Sequence, residues 1–265
     1  MLAAAPLLVK LRGLPAVTLA ESQAIAASHE HWQAWQAATP VEEWAAAEWL
    51  MPPAEPGSAD AGDTASAKRY QPPGRTWLHL AMFAVAPADG DGAAARAALR
   101  YRARLVSVAA TLLVVAGVYW AGYSIGGAVT ALLAGLIVAS MPLLIFEGRL
   151  ATATMPLLAA QVLAVAAALW AMRPFRPSAS ARRQAGGWTL CGLALAATLL
   201  IGGAASLVPV GLALVALVVL CPHRLGHALG LVAAASGAAL VVSPWVLRFY
   251  EQTSPGWTGW LALSP

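Results

Sequence analysis

The fold of this chain is decided by residues 104–173, which read RLVSVAATLLVVAGVYWAGYSIGGAVTALLAGLIVASMPLLIFEGRLATATMPLLAAQVLAVAAALWAMR. This stretch contains three long apolar segments without a charged residue, at 105–123, 126–146 and 150–172. Each is close to the roughly 20 residues that a helix needs to cross the hydrocarbon core of a bilayer. The only charges between them belong to Glu147 and Arg149. The stretch therefore predicts membrane-spanning helices joined by short connections.

The composition of the whole chain supports the same prediction. Hydrophobic residues make up 60% of the sequence and charged residues only 11%, against about 25% charged residues in soluble domains. We therefore expect an all-α, polytopic membrane helix bundle whose surroundings are membrane lipids. The net charge of +4 and the pI near 9.4 could indicate a nucleic-acid partner. However, most arginines flank apolar segments, as in positive-inside loops, and nucleic acid is not expected.

No metal site or cofactor can be assigned from the sequence. Cys191 and Cys221 lie within or at the edge of apolar runs and have no CxxC or histidine partner, so we expect buried small hydrophobic side chains. His29 and His31 are two residues apart, whereas helical zinc pairs are usually four apart. We interpret these histidines and the Glu30 between them as solvated surface.

The first 75 residues divide into two regions. Residues 1–18 form a terminal apolar segment that Lys10 and Arg12 interrupt, and it could be the tail of a transmembrane helix, an interfacial segment or a disordered terminus. Residues 19–75 are predicted to form an outer loop with short interfacial helices at 19–38 and 41–50. Tryptophan concentrates at membrane interfaces, and these helices contain Trp32, Trp35, Trp44 and Trp49. Packing in a soluble domain is the alternative role for these tryptophans.

A transmembrane bundle is predicted at residues 76–247, followed by an outer interfacial tail at 248–265. Residues 76–88 are expected to form a short, tilted crossing. The arginines of residues 96–104 and those of residues 173–183 are both expected on the cytoplasmic side. Three crossings cannot join two loops on one side. Either residues 105–146 make only one net passage, as two short helices around residues 124–127, or one of the three segments is a re-entrant hairpin.

The remaining connections follow from that arrangement. Residues 147–154 should lie on the outer side, opposite the arginine loops. A break near Gly202 and Gly203 should divide residues 187–221 into two short helices. Residues 225–247 should then cross outward.

Four short motifs occur in a characteristic order along the chain. Ala20-Glu21-Ser22 opens the outer loop, Gln71-Pro72-Pro73 precedes Trp77, Arg104-Leu105-Val106-Ser107 enters a helix, and residues 149–154 read RLATAT. In this order the motifs resemble the N-terminal half of multi-spanning glycosyltransferases that use polyprenyl-phosphate sugars. That group includes lipid A aminoarabinose transferase and the protein O-mannosyltransferases. The resemblance covers most of the chain from Leu19 onward and implies a cell-envelope enzyme of the inner (plasma) membrane.

The resemblance implies an inverting transfer from a lipid-linked sugar donor to an acceptor hydroxyl at the outer membrane face. Such a transfer needs a carboxylate base for the hydroxyl proton and cations for the departing phosphate. Glu21 is the acid of the outer loop that matches the family, which has Asp-Glu where this chain has Ala20-Glu21. We therefore expect Glu21 to be the base. An ordinary acid in the first turn of a helix is the alternative.

The other expected site residues follow from positions where the chain departs from the family pattern. Gln71 stands where the family often has lysine, and Thr154 stands where it usually has an acid. Arg149 is the expected ligand of the lipid phosphate, Arg75 could substitute for the missing lysine, and Glu147 could offset the acid lost at Thr154. The alternatives are interfacial anchoring by the arginines and a surface ion pair between Glu147 and Arg149.

Two other functional classes are compatible with the sequence. A degenerate or truncated relative that binds lipid or a protein partner fits the missing acids, and it fits a chain that ends soon after Pro244 and Trp245, where such enzymes normally continue. A small transporter fits less well, because ion pathways usually need charged residues within the membrane, and the central segments have none.

Overall fold

The computed structural model describes Ile25 and residues 74–85, 93–172, 181–221 and 224–253. All regular structure in these ranges is helical, which confirms the all-α prediction. The helices are α1 (Gly74–Val85), α2 (Ala93–Ala139), α3 (Pro142–Glu147), α4 (Thr154–Met172), α5 (Ala181–Gly202), α6 (Leu207–Leu220) and α7 (Arg224–Thr253), with a 3₁₀ turn at Ala204–Ser206.

Within the described ranges, four helical stretches are long and apolar enough to cross a bilayer: Ala97–Ala139, Thr154–Met172, Ala181–Gly202 and Arg224–Leu247. The chain is therefore a multi-pass membrane protein, as predicted. The segment at 1–18, the interfacial helices expected at 19–38 and 41–50, and residues 254–265 lie outside the described residues. The four regional boundaries drawn from the sequence stay predictions.

Helix α2 contains a sharp reversal at Gly127. This residue has φ 80° and ψ −163°, a conformation that is essentially restricted to glycine. On either side of it, a Cβ built on Gly122 would lie 3.0 Å from the Cα of Ala131, and one built on Gly135 would lie 3.8 Å from the Cβ of Tyr119. The two legs of α2 therefore run antiparallel as a helical hairpin.

Helix α3 continues the return leg of this hairpin. Leu144 packs in a cluster with Ala110 and Met155, and Ile145 packs against Val108. The chain at residue 145 has thus returned to the level of Val108, near the start of the apolar segment at 105–123. The single net passage expected for residues 105–146 is wrong, because the backbone at Gly127 reverses the chain and the return leg extends through α3.

The two arginine clusters consequently lie at opposite ends of the bundle. Ala103 packs with Ala151, so the start of the outward leg lies beside Arg149. The turn at the top of the hairpin lies near the end of α4, since Trp120 and Trp170 have ring centroids 5.7 Å apart. We name these the Arg149 end and the Arg182 end. The expectation that both clusters share one side is corrected by this geometry.

Helices α4, α5 and α7 pack closely through small residues. A Cβ on Gly187 would lie 2.6 Å from the Cβ of Ala171, and a Cβ on Gly192 would lie 2.7 Å from the carbonyl oxygen of Ala234. Small side chains allow such close approach between membrane helices, where dispersion contacts replace the hydrophobic effect. Both cysteines are free and buried, which confirms their expected role.

The predicted break at Gly202 and Gly203 is present and is closed by polar side chains. Gly203 has φ 71°. The Ser206 hydroxyl donates to the carbonyl oxygens of Gly203 (2.6 Å) and Thr198 (3.1 Å), and the Gln161 amide donates to the Ser206 carbonyl (2.9 Å). Backbone groups inside a bilayer need such partners, because no water is available there.

Helix α1 lies across the Arg149 end. Its 12 residues extend about 18 Å. Gly74 abuts Leu200 near the end of α5, and Leu80 packs against the cluster of Ala103 and Ala151. Leu200 and the cluster of Ala103 and Ala151 both lie at the Arg149 end. The described residues of the segment at 76–88 therefore stay at that end and do not make the predicted crossing.

Candidate functional site

The Arg149 end brings together four sequence regions that are distant in the chain. They are Ile25, the first two turns of α1, the beginning of α2 and the α3–α4 connection. Ile25, Leu99, Ala103 and Ala151 form one buried cluster there, with Leu80 against it. The apolar cluster fixes the positions from which the neighbouring polar side chains extend.

Arg104 and His79 are deeply enclosed polar side chains near this cluster. Arg104 has no accessible surface, and His79 is 1% exposed. Each makes an interaction with another residue, as buried charged and polar groups must to offset their lost hydration. Neither residue was predicted from the sequence to belong to the site.

A buried polar stripe runs from Arg104 along α2 toward the membrane interior. Arg104, Ser107 and Thr111 are spaced three and four residues apart, so they lie on one helical face, and all three are buried. The Thr111 hydroxyl donates to the Ser107 carbonyl oxygen at 2.7 Å. The Ser107 hydroxyl itself is buried without a hydrogen-bond partner. In the sequence, these polar residues recur at intervals of three and four within an apolar run. This pattern could have predicted the stripe.

The α3–α4 connection presents Arg149 on a tight turn. Gly148 donates its N–H to the Leu144 carbonyl (2.9 Å), Arg149 to Phe146 (3.1 Å) and Leu150 to Glu147 (3.1 Å). Leu150 and Ala151 are buried directly after this turn. The Arg149 side chain is half-buried and makes an interaction with another residue. The turn therefore holds a guanidinium group at a fixed place at this end of the bundle.

The structure describes only some of the other predicted site residues. Glu147 is half-buried at the last position of α3, and Thr154 is exposed at the first position of α4. The backbone of Arg75 lies in the first turn of α1, at the same end of the bundle. Its side chain, Glu21 and Gln71 lie outside the described residues. Within the described ranges, no group of three His, Cys, Asp or Glu side chains could hold a metal ion.

A protein-family comparison identifies the chain. The family model for dolichyl-phosphate-mannose-protein mannosyltransferases matches residues 94–257. The chain belongs to this family. The match extends from the first turn of α2 past the end of α7, so it includes the hairpin, Arg104 and Arg149. The resemblance to polyprenyl-phosphate-sugar glycosyltransferases that the sequence motifs indicated is thereby confirmed.

A solved structure shows the same fold as this mannosyltransferase-family chain. The crystal structure of ArnT from Cupriavidus metallidurans in the apo state matches with a TM-score of 0.75 and 17% sequence identity. The match covers 100% of this chain and 43% of that chain. The chain thus spans less than half the length of that protein. A search of curated protein sequences gives no significant match.

Proposed function

We propose that this chain is a membrane glycosyltransferase that moves a sugar from a polyprenyl-phosphate donor to an acceptor hydroxyl at the outer face of the inner (plasma) membrane. The observation that supports the proposal is the family match over residues 94–257, which includes Arg104 and Arg149. In this proposal the Arg149 end faces outward. Its half-buried arginine lies where a lipid phosphate would arrive from the membrane surface.

The proposed reaction is an inverting displacement. The acceptor oxygen bonds to the anomeric carbon while the bond from that carbon to the phosphate oxygen breaks. Polyprenyl phosphate leaves with the bonding electron pair, and the Glu21 carboxylate takes the acceptor proton. A positioned general base contributes about 10²- to 10⁴-fold to such a step.

Arg149 is the proposed ligand of the departing phosphate. Guanidinium groups bind phosphate oxygens through two parallel hydrogen bonds. The turn that carries Arg149 is anchored by the buried side chains of Leu150 and Ala151, so its donors need little rearrangement when the phosphate gains charge. Arg75, at the start of α1, is the proposed second cation in place of the family lysine, where this chain has Gln71.

Two neighbours of Arg149 complete the proposed substrate site. Glu147 supplies a carboxylate two residues before Arg149, and Thr154 supplies an exposed hydroxyl at the start of α4. In the family pattern the acid stands at the position of Thr154. We propose that Glu147 takes over this acid in binding the donor sugar or the acceptor.

A second candidate is a relative that binds a lipid-linked sugar or a protein partner without transferring the sugar. Three positions favour it, because Ala20, Gln71 and Thr154 each lack the charge that the family carries there. This candidate keeps the fold and the phosphate-binding arginine but has no chemical step.

A turnover assay with Glu21→Gln tests the proposed base. Full-length protein would be reconstituted with polyprenyl-phosphate mannose or polyprenyl-phosphate aminoarabinose and a hydroxyl acceptor mixture from the native envelope, and release of polyprenyl phosphate would be measured. We expect Glu21→Gln to lower kcat by at least about 100-fold with little change in KM. Glu30→Gln, which removes an acid from the same loop, is the matched control and should leave the rate unchanged.

The same assay separates the two candidates. Unchanged turnover in Glu21→Gln would remove Glu21 from the mechanism. If the unmutated protein binds these donors but releases no polyprenyl phosphate, the non-catalytic candidate is favoured.

A further inference from the structure

A groove between α5 and α7 opens toward the membrane at the Arg182 end. Its volume is about 420 Å³, and its lining is apolar apart from one threonine and the indole nitrogen of a tryptophan. Its lining includes Trp188 and Gly192 of α5 and Gly230, Ala234, Gly237 and Val241 of α7. This groove lies at the opposite end of the bundle from Arg149.

The groove exists because α7 presents small residues where α5 approaches it. A Cβ on Gly230 would overlap the indole ring of Trp188, so these two helices touch at that point. One and two turns further along, Ala234 and Gly237 continue the same face, and a Cβ on Gly237 would meet nothing within 4 Å. The space beside Gly237 is therefore open to an occupant from the membrane.

The length of the groove fits one leaflet of a bilayer. Its lining on α7 runs from Gly230 to Val241, which is about 16 Å at ~1.5 Å per residue. The hydrocarbon core is about 30 Å thick, so the groove covers about half of it. A spanning helix would need a contact surface through both leaflets, whereas the acyl chain of one lipid needs only this half.

The charged residues around the groove are arginines, and the neighbouring sequence contains no acidic residue to balance them. Arg182 is exposed, three residues before the groove residue Ala185 and thus on the same face of α5. Arg224 is exposed at the first position of α7. No aspartate or glutamate occurs between residues 148 and 250. Helical side chains lean toward the helix N-terminus, which directs Arg182 away from the apolar groove and toward the lipid headgroups.

We propose that this groove binds one anionic phospholipid, with an acyl chain against Gly230, Ala234 and Gly237 and the phosphate beside Arg182. Basic pockets between membrane helices bind anionic lipid headgroups in this way, and each nearby arginine contributes favourably. The bound lipid fills the gap that the small residues leave and neutralises part of the arginine charge at this end.

Native mass spectrometry of the purified full chain tests this proposal. The probes are phosphatidylglycerol and phosphatidylcholine with identical acyl chains, added at equal concentration. We expect the unmutated protein to retain one phosphatidylglycerol in preference to phosphatidylcholine. Arg182→Gln should lower phosphatidylglycerol retention about fivefold and leave phosphatidylcholine retention unchanged. Equal retention of phosphatidylglycerol by Arg182→Gln and the unmutated protein would overturn the headgroup assignment.

A glycine pair tests the place of the acyl chain. Gly237→Leu fills the open groove and should lower retention of both lipids. Gly211→Leu is the matched control, because Gly211 lies on α6 outside the groove and a Cβ there also meets nothing within 4 Å. Equal losses from the two variants, or a retained second protein chain in place of lipid, would contradict the proposal. If Gly237→Leu fails to fold, Arg182→Gln decides the outcome alone.

Discussion

At the scale of single residues, the most informative feature is the enclosure of Arg104. This guanidinium has no accessible surface although it stands at the start of an apolar segment. Burial of a charge costs several kcal/mol unless partners replace its hydration, and Arg104 does interact with neighbouring residues. Arg104 therefore belongs to the internal structure of the Arg149 end and is not a lipid-headgroup anchor.

Removal of this buried charge is expected to destabilise the protein. Arg104→Gln should lower the free energy of unfolding by about 3 kcal/mol, because the partner of Arg104 loses its interaction inside the bundle. Arg224→Gln, at an exposed arginine, should change it by less than about 0.5 kcal/mol. Thermal unfolding in detergent would measure both. Similar melting temperatures for the two variants would show that Arg104 is not structurally important.

At the scale of elements, the α2 hairpin decides how the chain passes through the membrane. The sequence predicted the position of its turn, since residues 124–127 contain two adjacent glycines between apolar runs. The sequence did not predict that the second leg of the hairpin runs back along the first leg as far as Val108. The length of an apolar run does not distinguish a reversal from a kink, because that choice depends on the backbone angles of Gly127 and on the packing of Gly122 against Ala131.

The glycine at the turn is required for its backbone conformation. Gly127→Ala should lower the free energy of unfolding by about 1–3 kcal/mol, since φ 80° with ψ −163° is strained for any residue with a side chain. No atom lies within 4 Å of a Cβ there, so the cost comes from the backbone alone. Gly211→Ala, at an equally open position inside α6, should raise stability slightly. Unfolding by denaturant or heat would compare the two, and a neutral Gly127→Ala would contradict the hairpin geometry.

At the scale of the whole molecule, the bundle has two basic ends with different surroundings. At the Arg149 end, Arg104 is fully enclosed and Arg149 is half-buried. At the other end, Arg183 is half-buried, and Arg182 and Arg224 are exposed. The sequence predicted the all-α fold, the membrane segments and the family. The membrane sides on which the two arginine clusters lie could not be predicted from the sequence. A count of arginines does not distinguish an arginine that anchors a loop from a buried one such as Arg104.

Labelling of single cysteines from one side of the membrane tests this arrangement. Ala98→Cys and Thr154→Cys should react with an impermeant maleimide from outside the cell, because both positions lie at the Arg149 end, which we propose faces outward. Ala181→Cys should react only in inverted vesicles. The native cysteines are buried and should contribute little labelling. Reaction of Ala98→Cys and Thr154→Cys from opposite sides would restore the single net passage.

In the proposed function, the Arg149 end binds the lipid phosphate. The most direct measurement is kcat/KM for release of polyprenyl phosphate from polyprenyl-phosphate mannose or polyprenyl-phosphate aminoarabinose by the unmutated protein, Arg149→Gln and Arg224→Gln. We predict a loss of about 100-fold or more for Arg149→Gln, because a cation at the departing phosphate stabilises the transition state. We predict no change for Arg224→Gln at the other end. Equal activity of Arg149→Gln and the unmutated protein would contradict the account.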